Sequence, residues 1–195
     1  MRTIVWDIDD VLNDLMRAWF TSVWKPGHPE SQLRYQDIAD NPPYRSLGIG
    51  EAEYLESLDA FRVSDAARRM APNAAVLKWL RSYGDGYRHV ALTARPLASV
   101  PAAAEWLFRH FGGHIRCFGV APSRPGPETP LYDRDKSDFL RWFGKGDFLV
   151  DDCEANLARV RAMGIRTVLY PQPWNGAART AGSALATLTE SLVVN

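Results

Sequence analysis

The sequence predicts an α/β fold, with a parallel sheet of about five strands that is covered by helices on both faces. Two observations support this prediction. Short apolar runs rich in β-branched residues, which are typical of buried strands, alternate with segments of helical periodicity along most of the chain. Three of the apolar runs stop at a polar residue, at Asp7, Thr93 and Asp151. Parallel strands end at one edge of a sheet, where ligands bind, so we expect these three residues to lie close together.

The N-terminal part of the chain is predicted to hold one strand followed by helices. The apolar run 3–8 is the first strand. In the segment 15–24, apolar residues recur at spacings of three and four, as in an amphipathic helix. Pro26 follows this segment and is expected to end the helix. The same spacing predicts a second helix over 51–61.

A small cap is predicted between the first strand and the rest of the sheet. Residues 30–50 have a poor pattern and contain turn-forming prolines and glycines. We therefore predict a mainly helical cap over 16–70, which is inserted after the first strand of a core formed by 1–15 and 71–195.

Helices and strands alternate regularly in the remainder of the chain. Each helix repeats apolar residues at spacings of three and four, and a glycine follows most of them. Strands joined by helices in this way form a parallel sheet with right-handed crossovers, which is a three-layer, Rossmann-like architecture. The proline-rich segment 121–130 is predicted to be a stiff surface loop. The helices are predicted at 73–83, 100–111, 136–143, 153–163 and 183–192, and the strands at 89–92, 115–120, 147–150 and 165–170.

Composition excludes several classes of function. The chain has 195 residues, of which 46% are hydrophobic, enough for a packed core. Lys+Arg and Asp+Glu both number 23, so a general binder of nucleic-acid polymers is not expected. No apolar run approaches the roughly 18 residues of a membrane span, and Asp7 interrupts the N-terminal one, so we expect a cytoplasmic protein without a signal peptide. Cys117 and Cys153 lack metal-ligand spacing and are expected to be free thiols.

Asp7 and Asp9 form the first candidate site. Residues two apart on a strand point to the same side, so both carboxylates would sit at its carboxyl end. Two carboxylates this close repel each other, and a divalent cation relieves the repulsion. Their different environments would also allow one to attack an electrophile while the other carries protons. The alternative is an ordinary acidic turn after a strand.

Thr93, Ala94 and Arg95 form the second candidate site. A hydroxyl and free backbone N–H groups at a junction between a strand and a helix can bind an anion. Arg95 can hold a phosphate with two parallel hydrogen bonds, or it only pairs with a surface carboxylate. The alternative is an exposed threonine before a turn.

Lys136 and the pair Asp151 and Asp152 complete the candidate set. The helix dipole does not favour a lysine at the start of a helix, so Lys136 suggests a functional role, with Arg134 as its rival. Two adjacent carboxylates at the end of a buried strand require a positive partner. A metal ion shared with the first acidic pair would supply it. Alternatively, both acids open the next helix.

Taken in order, these segments resemble the four motifs of the haloacid dehalogenase (HAD) superfamily of aspartate-nucleophile phosphohydrolases. The motifs correspond to Val5–Val11, Ala91–Arg95, Lys136 and Leu149–Asp152. The resemblance covers the sheet from Thr3 to about Tyr170. It implies a phosphatase that acts on a small phosphorylated metabolite.

The resemblance also implies a role for each residue. Asp7 would be the nucleophile that forms an aspartyl-phosphate. Asp9 would be the general acid and then the general base, which favours a phosphatase over a dehalogenase. Thr93 and the N–H group of Ala94 would bind the transferring phosphoryl group, together with Arg95. Lys136 would neutralise its charge.

The resemblance further implies Mg²⁺ as cofactor. Its ligands would be Asp7, the backbone carbonyl of Asp9, and Asp151, with Asp152 acting through water. One departure is Asp10, which replaces a residue that is commonly Gly in this superfamily and adds a carboxylate near the site.

Within the superfamily, three segments and the small cap look similar to bacterial relatives of the 5′(3′)-deoxyribonucleotidases, which makes a nucleotide one candidate substrate. The segments are the Pro72 region, Thr93–Pro96 and Pro171–Asn175. Aromatic residues of the cap would either face a nucleobase or pack the cap onto the sheet. They are Trp19, Trp24, Tyr35 and Tyr44.

Other functions use the same residue types. A phosphotransferase or mutase differs from a hydrolase only in the access of water, so it stays open. Phosphoacceptor switches such as response-regulator receivers also use Asp, Thr and Lys, but they do not require the Asp7-x-Asp9 pair. A non-catalytic phosphate-binding domain on the same fold is the third alternative. The complete set of polar residues argues against it.

Overall fold

The computed structural model describes residues 1–124, 126, 129–176 and 180–193 and contains a five-stranded sheet. All strand pairs are parallel, and the strand order is β3-β2-β1-β4-β5. This confirms the predicted α/β fold with a parallel sheet. The strands are β1 Thr3–Trp6, β2 Arg88–Thr93, β3 Ile115–Val120, β4 Phe148–Asp151 and β5 Arg166–Leu169.

The strand order places a topological switch point between β1 and β4. The chain builds one half of the sheet from β1 through β3 and then returns to the other side of β1 with β4. At this junction Trp6 pairs with Val150, and the N–H group of Asp7 donates to the carbonyl of Val150 at 2.9 Å. Ligands of open α/β sheets bind outside the carboxyl ends of strands at such a point.

Every helix predicted from the sequence is present, and two of them have the predicted bounds, Val100–Phe111 and Lys136–Phe143. The first helix continues beyond its predicted end, because a π-helical turn over Phe20–Trp24 joins it to Lys25–Gly27, which contains Pro26. Proline is tolerated there because it lies in the first turn of the short helix. The helices are α1 Leu15–Trp19, α2 Lys25–Gly27, α3 Tyr44–Leu47, α4 Glu51–Arg62, α5 Asp65–Arg68, α6 Ala74–Tyr83, α7 Val100–Phe111, α8 Lys136–Phe143, α9 Glu154–Arg161 and α10 Ala181–Val193.

Helices cover both faces of the sheet. Alternate residues of a strand point to opposite faces. Accordingly, Ile4 and Trp6 of β1 pack in a buried cluster with residues of α6, α7 and α10, whereas Val5 packs in another with residues of α8 and α9. The three-layer arrangement predicted from the alternation of strands and helices is therefore confirmed.

A separate hydrophobic cluster forms within the segment between β1 and β2. Its buried members run from Leu15 to Ala67, and Trp174 packs against it from the C-terminal part of the chain. Cap bounds of 16–70 stay a prediction.

No helix in the described part of the chain is long and apolar enough to cross a membrane. The predicted loop 121–130 lies partly outside the described residues.

Gly119 on β3 provides a test of the packing beneath the sheet. A Cβ atom at this position would lie 2.9 Å from Cε2 of Phe139 and closer still to its Cζ. Gly119→Ala is therefore expected to lower the free energy of unfolding by about 1–3 kcal/mol, the usual cost of overpacking. Gly113→Ala is the matched control, because a Cβ atom there meets nothing within 4 Å. Urea unfolding that gives equal midpoints for the two variants would contradict the close approach of α8 to β3.

Candidate active site

Asp7 leaves the sheet at the carboxyl end of β1. Its side chain is buried, and one carboxylate oxygen, Oδ1, accepts a hydrogen bond from the N–H group of Ile8 at 2.8 Å. The turn that follows is not helical, since Asp9 is extended and Asp10 has a φ of 63°. This turn places the Asp7 and Asp9 carboxylates against different partners.

Asp10 has a backbone conformation that favours glycine, which is the common residue at this position in the superfamily that the sequence resembles. Its φ of 63° is in the left-handed region, where aspartate is tolerated better than most residues. The carboxylate of Asp10 accepts a hydrogen bond from the N–H group of Met16 at 2.9 Å, and its carbonyl accepts one from Nε2 of Gln172 at 2.6 Å. The buried carboxylate thus fixes the start of α1.

Asp10→Asn is expected to stabilise the protein at neutral pH. Burial, and then repulsion by Asp9, raise the pKa of Asp10 well above its ordinary value. An acid with a raised folded pKa costs stability as the pH rises from its unfolded pKa through the folded one. Asparagine keeps the acceptor for Met16 and tolerates the left-handed region, so the substitution should raise the free energy of unfolding at neutral pH.

The pH dependence gives the check on this prediction. Thermal unfolding in EDTA should show that the advantage of Asp10→Asn shrinks towards about pH 4, where Asp10 is protonated in the unfolded chain as well as in the folded protein. Asp85→Asn is the control, because the Asp85 side chain is 96% exposed. A stability difference between Asp10→Asn and the wild type that stays constant from neutral pH to about pH 4 would contradict the raised pKa of Asp10.

Lys136 is the central cation of the site. It is the first residue of α8, whose N-terminus is capped by the Asp135 carboxylate. Nζ of Lys136 lies 2.6 Å from Oδ1 of Asp7 and 2.7 Å from Oδ2 of Asp151. Burial lowers the pKa of Lys136, but the two carboxylates outweigh burial and hold it above the ordinary value, so the lysine is charged. The rival Arg134 lies at the surface and pairs with Asp138.

Asp151 and Asp152 are held in place by different donors. Asp151 is fully buried and accepts hydrogen bonds from the N–H group of Cys153 at 2.8 Å and from Nδ2 of Asn156 at 3.3 Å. Oδ2 of Asp152 accepts one from Nε1 of Trp174 at 2.9 Å. Both carboxylate oxygens of Asp151 therefore accept hydrogen bonds, since Oδ2 also accepts one from Lys136, whereas Trp174 engages only Oδ2 of Asp152.

Three carboxylates fit a divalent cation. Ligand oxygens of Asp7, Asp151 and Asp152 all lie within 4.8 Å of one another. This is close to the spacing of about 4.2 Å across an ion with bonds of 2.1 Å, which is the bond length that Mg²⁺ requires. Burial, and then repulsion by neighbouring acids, raise the pKa of Asp7 and of Asp152, although Lys136 opposes the increase. A bound cation would relieve that repulsion.

Thr93 and Ala94 lie at the carboxyl end of β2, next to β1. Thr93 is almost fully buried, and its Oγ1 accepts a hydrogen bond from the N–H group of Arg95 at 3.2 Å. The guanidinium of Arg95 donates to both carboxylate oxygens of Asp9, at distances of 2.5 to 3.1 Å. Burial alone raises the pKa of Asp9, but Arg95 outweighs burial and leaves the pKa below its ordinary value. Asp9 is therefore an ionised carboxylate in this structure.

The predicted site residues converge on one cavity of about 250 Å³. Asp151 does not line it but reaches it through the ion pair with Lys136. Residues from the predicted set that line the cavity are Asp7, Asp9, Thr93, Ala94, Arg95, Lys136 and Asp152.

Sequence reasoning missed the residues that the cap contributes to this cavity. Tyr54, Leu58 and Arg62 of α4 line it, and they are four residues apart along one face of the helix. The sequence contained a signal for this, because Arg62 continues the face of the helix that Tyr54 and Leu58 form. Four aromatic residues were expected either to face a nucleobase or to pack the cap onto the sheet. None of them is among the described residues that line the cavity. Of these, Trp19, Trp24 and Tyr35 are buried in the cap cluster and Tyr44 packs against it.

Solved structures of other proteins share the fold of this chain. No protein-family model and no curated protein matches the sequence. Among solved structures, a haloacid dehalogenase-like hydrolase from Streptococcus pneumoniae has 13% identity and a TM-score of 0.64, over 98% of each chain. A haloacid dehalogenase-like protein of unknown function from Agrobacterium tumefaciens has 16% identity and a TM-score of 0.61, over 98% of this chain and 99% of that one.

A third solved structure was determined with phosphate and sodium bound. It is a HAD family hydrolase from Deinococcus radiodurans, with 18% identity and a TM-score of 0.52, over 98% of this chain and 95% of that one. These likenesses show that the chain has the fold of the haloacid dehalogenase superfamily, so the resemblance predicted from four short motifs is confirmed for the fold.

Proposed function

We propose that the protein is a Mg²⁺-dependent phosphatase that hydrolyses a small phosphomonoester through an aspartyl-phosphate. The observation that carries this proposal is the convergence of Asp7, Lys136 and Thr93 on one cavity at the switch point of the sheet. A nucleophile, a fixed cation and a hydroxyl donor are the groups that phosphoryl transfer requires. The phosphate bound to the Deinococcus hydrolase supports the same class of ligand.

In the first step, a carboxylate oxygen of Asp7 attacks phosphorus and the ester P–O bond breaks. The departing alcohol oxygen takes a proton from Asp9, so that the alcohol leaves neutral. In the second step Asp9 takes a proton from water, whose oxygen attacks phosphorus and breaks the aspartyl P–O bond. Inorganic phosphate leaves and the Asp7 carboxylate is restored. Lys136 and Thr93 hold the charge that develops on the phosphoryl oxygens.

Asp9 needs a proton before it can act as an acid, and Arg95 controls whether it holds one. Three hydrogen bonds from Arg95 favour the ionised form of Asp9. When Arg95 turns to the phosphoryl oxygens, Asp9 loses its closest positive charge and its pKa rises. Arg95 therefore moves from the Asp9 carboxylate to the phosphoryl group of the substrate. It can bind either of them with two parallel hydrogen bonds.

Asp7, Asp151 and Asp152 would hold Mg²⁺, together with the backbone carbonyl of Asp9. When bound, this ion supplies a Lewis acid that offsets the repulsion between the anionic nucleophile and the phosphate. Asn156 and Trp174 orient the carboxylates of Asp151 and Asp152 through hydrogen bonds.

The size of the cavity bears on the substrate. Its volume of about 250 Å³ is below the range of about 300–1,000 Å³ that is usual for ligand sites. A compact leaving group fits this volume better than a nucleoside does. A nucleotide would need the cap to move away from the sheet.

Phosphate release from a panel of phosphomonoesters tests the proposal. The panel includes 5′- and 3′-nucleotides and compact esters, each with Mg²⁺ and with EDTA. Release that depends on Mg²⁺ is the expected result. Folded protein that releases no phosphate from any ester would overturn it. Transfer of the phosphoryl group to an added alcohol, without release, would identify a phosphotransferase instead.

A further inference from the structure

Arg62 at the end of α4 is a cap residue with unused hydrogen-bonding capacity. Its side chain is 14% exposed and lines the cavity. Nη1 donates to Oδ1 of Asp59 at 2.8 Å. Nε is buried and has no hydrogen-bond partner among the described residues. A buried donor without a partner is rare, because it costs about 1–3 kcal/mol, and it calls for an explanation.

Pairing with Asp9 does not explain the position of Arg62. Nη2 of Arg62 is 3.7 Å from Oδ2 of Asp9, which is beyond hydrogen-bond distance. Arg95 already binds both carboxylate oxygens of Asp9, at 2.5 to 3.1 Å. The charge of Arg62 helps to lower the pKa of Asp9, but the hydrogen bonds to this carboxylate come from Arg95 and not from Arg62.

The core and the cap together hold the Arg62 guanidinium at this position. Asp59, one turn earlier on α4, also accepts hydrogen bonds from Arg124 at 2.7 and 2.9 Å. Arg124 follows β3, so the shared carboxylate ties the cap helix to the core. Asp59 therefore holds the guanidinium of Arg62 in place at the cavity wall, while its Nε has no partner among the described residues.

The location of Arg62 identifies the part of a substrate that it would meet. In the proposed reaction Asp9 protonates the leaving group, so it marks the side of the cavity that the leaving group occupies. Arg62 lies next to Asp9 on that side, whereas Lys136 lies at Asp7, on the side of the transferring phosphate. Tyr54 and Leu58 extend the same wall with apolar surface.

We propose that Arg62 binds a second anionic group, a carboxylate or a second phosphate, on the leaving group of the substrate. This inference rests on the proposed phosphatase function and narrows its substrates to compact phosphomonoesters with two anionic groups. A guanidinium has the planar donor geometry that carboxylates and phosphates match. Asp59 is a positioning residue that acts through Arg62.

Matched esters test the inference. 3-Phosphoglycerate carries a carboxylate where glycerol 3-phosphate carries a neutral hydroxymethyl group, and propane-1,3-diol bisphosphate carries a second phosphate. Wild-type protein should prefer the two esters that carry a second anionic group over glycerol 3-phosphate by at least about tenfold in kcat/KM. Arg62→Gln should lower kcat/KM for the preferred ester by about 30-fold or more, because a desolvated charge pair is lost. The same variant should change kcat/KM for glycerol 3-phosphate by less than about threefold, and Arg62→Lys should restore part of the loss.

Controls separate this role from a structural one. Arg69→Gln removes a cap arginine whose side chain is 73% exposed, and it should leave all three activities unchanged. Asp59→Asn should lower the preference for anionic esters in the same direction as Arg62→Gln, but by less. Equal losses on charged and neutral esters in Arg62→Gln, or no preference in the wild type, would overturn the inference.

Binding measurements distinguish failure of this inference from failure of the proposed function. Calorimetry with the same esters and Mg²⁺ compares Asp7→Asn with Asp7→Asn/Arg62→Gln. If the wild type hydrolyses none of the esters, the phosphatase proposal fails, and the calorimetric preference alone decides the role of Arg62. Weaker binding of 3-phosphoglycerate to the double variant, with unchanged binding of glycerol 3-phosphate, is the expected result. Equal binding of both esters to both variants would contradict it.

Discussion

Asp7→Asn is expected to lower kcat/KM for phosphate release by a factor of about 10⁴ or more, because the nucleophile is lost. An amide cannot form the aspartyl-phosphate, and it is a poorer ligand for a divalent cation than a carboxylate is. Lys136 keeps its contact with Asp151 at 2.7 Å, so the site should remain folded. Steady-state phosphate release with the best ester of the panel measures the effect. Activity within tenfold of the wild type would exclude Asp7 as the nucleophile.

The same variant is expected to be more stable than the wild type in EDTA at neutral pH. The pKa of Asp7 is raised by burial and by the neighbouring acids, so its ionised form costs stability above the unfolded pKa. The gain should disappear towards about pH 4, where Asp7 of the wild type is protonated in the unfolded chain as well as in the folded protein. Thermal unfolding at both pH values checks this. Activity and stability would then move in opposite directions, as expected for a site that concentrates buried charge.

Lys136→Met is expected to have the largest effect on stability. The substitution leaves Asp7 and Asp151 buried without the cation that lies 2.6 and 2.7 Å away. Breaking a buried ion pair from one side costs about 3–5 kcal/mol of unfolding free energy. Phosphate release should also fall by about 10²–10³, because a fixed charge at the phosphoryl group is lost.

Urea unfolding in EDTA measures the effect of Lys136→Met on stability. Lys145→Met is the control, because it makes the same substitution at an exposed lysine, where it should change the free energy of unfolding little. A second comparison, between Lys136→Met and Lys136→Met/Asp7→Asn, tests the physical cause. The added asparagine should recover part of the loss, since it removes one of the two uncompensated charges. A double variant less stable than Lys136→Met would contradict the pairing.

Much of the site could be predicted from the sequence because each residue sits at the end of an element. Asp7, Thr93 and Asp151 terminate apolar runs, and Lys136 opens a helix with clear periodicity. A parallel sheet brings such positions to one edge regardless of how the side chains pack. The helices of the core were predictable for the same reason, since local periodicity determines them.

The remainder depends on contacts between segments that are far apart in the chain. Arg95 bound to Asp9 and Trp174 bound to Asp152 join distant positions, and no local pattern specifies either pair. The sequence left open whether Arg95 binds a phosphate or a surface carboxylate, because both uses require the same planar donor group, and it did not indicate Asp9 as the partner. Arg62 was missed because its role depends on where α4 packs against the core.

The hydrophobic cluster of the cap shares no buried residue with the two clusters that pack against the sheet. Substitutions in separate clusters generally have additive effects on stability. Natural selection can therefore alter the wall that α4 contributes to the cavity without disturbing the strands that hold Asp7. Descendants of this protein could acquire new substrates through a few changes in α4 and inherit the reaction chemistry intact.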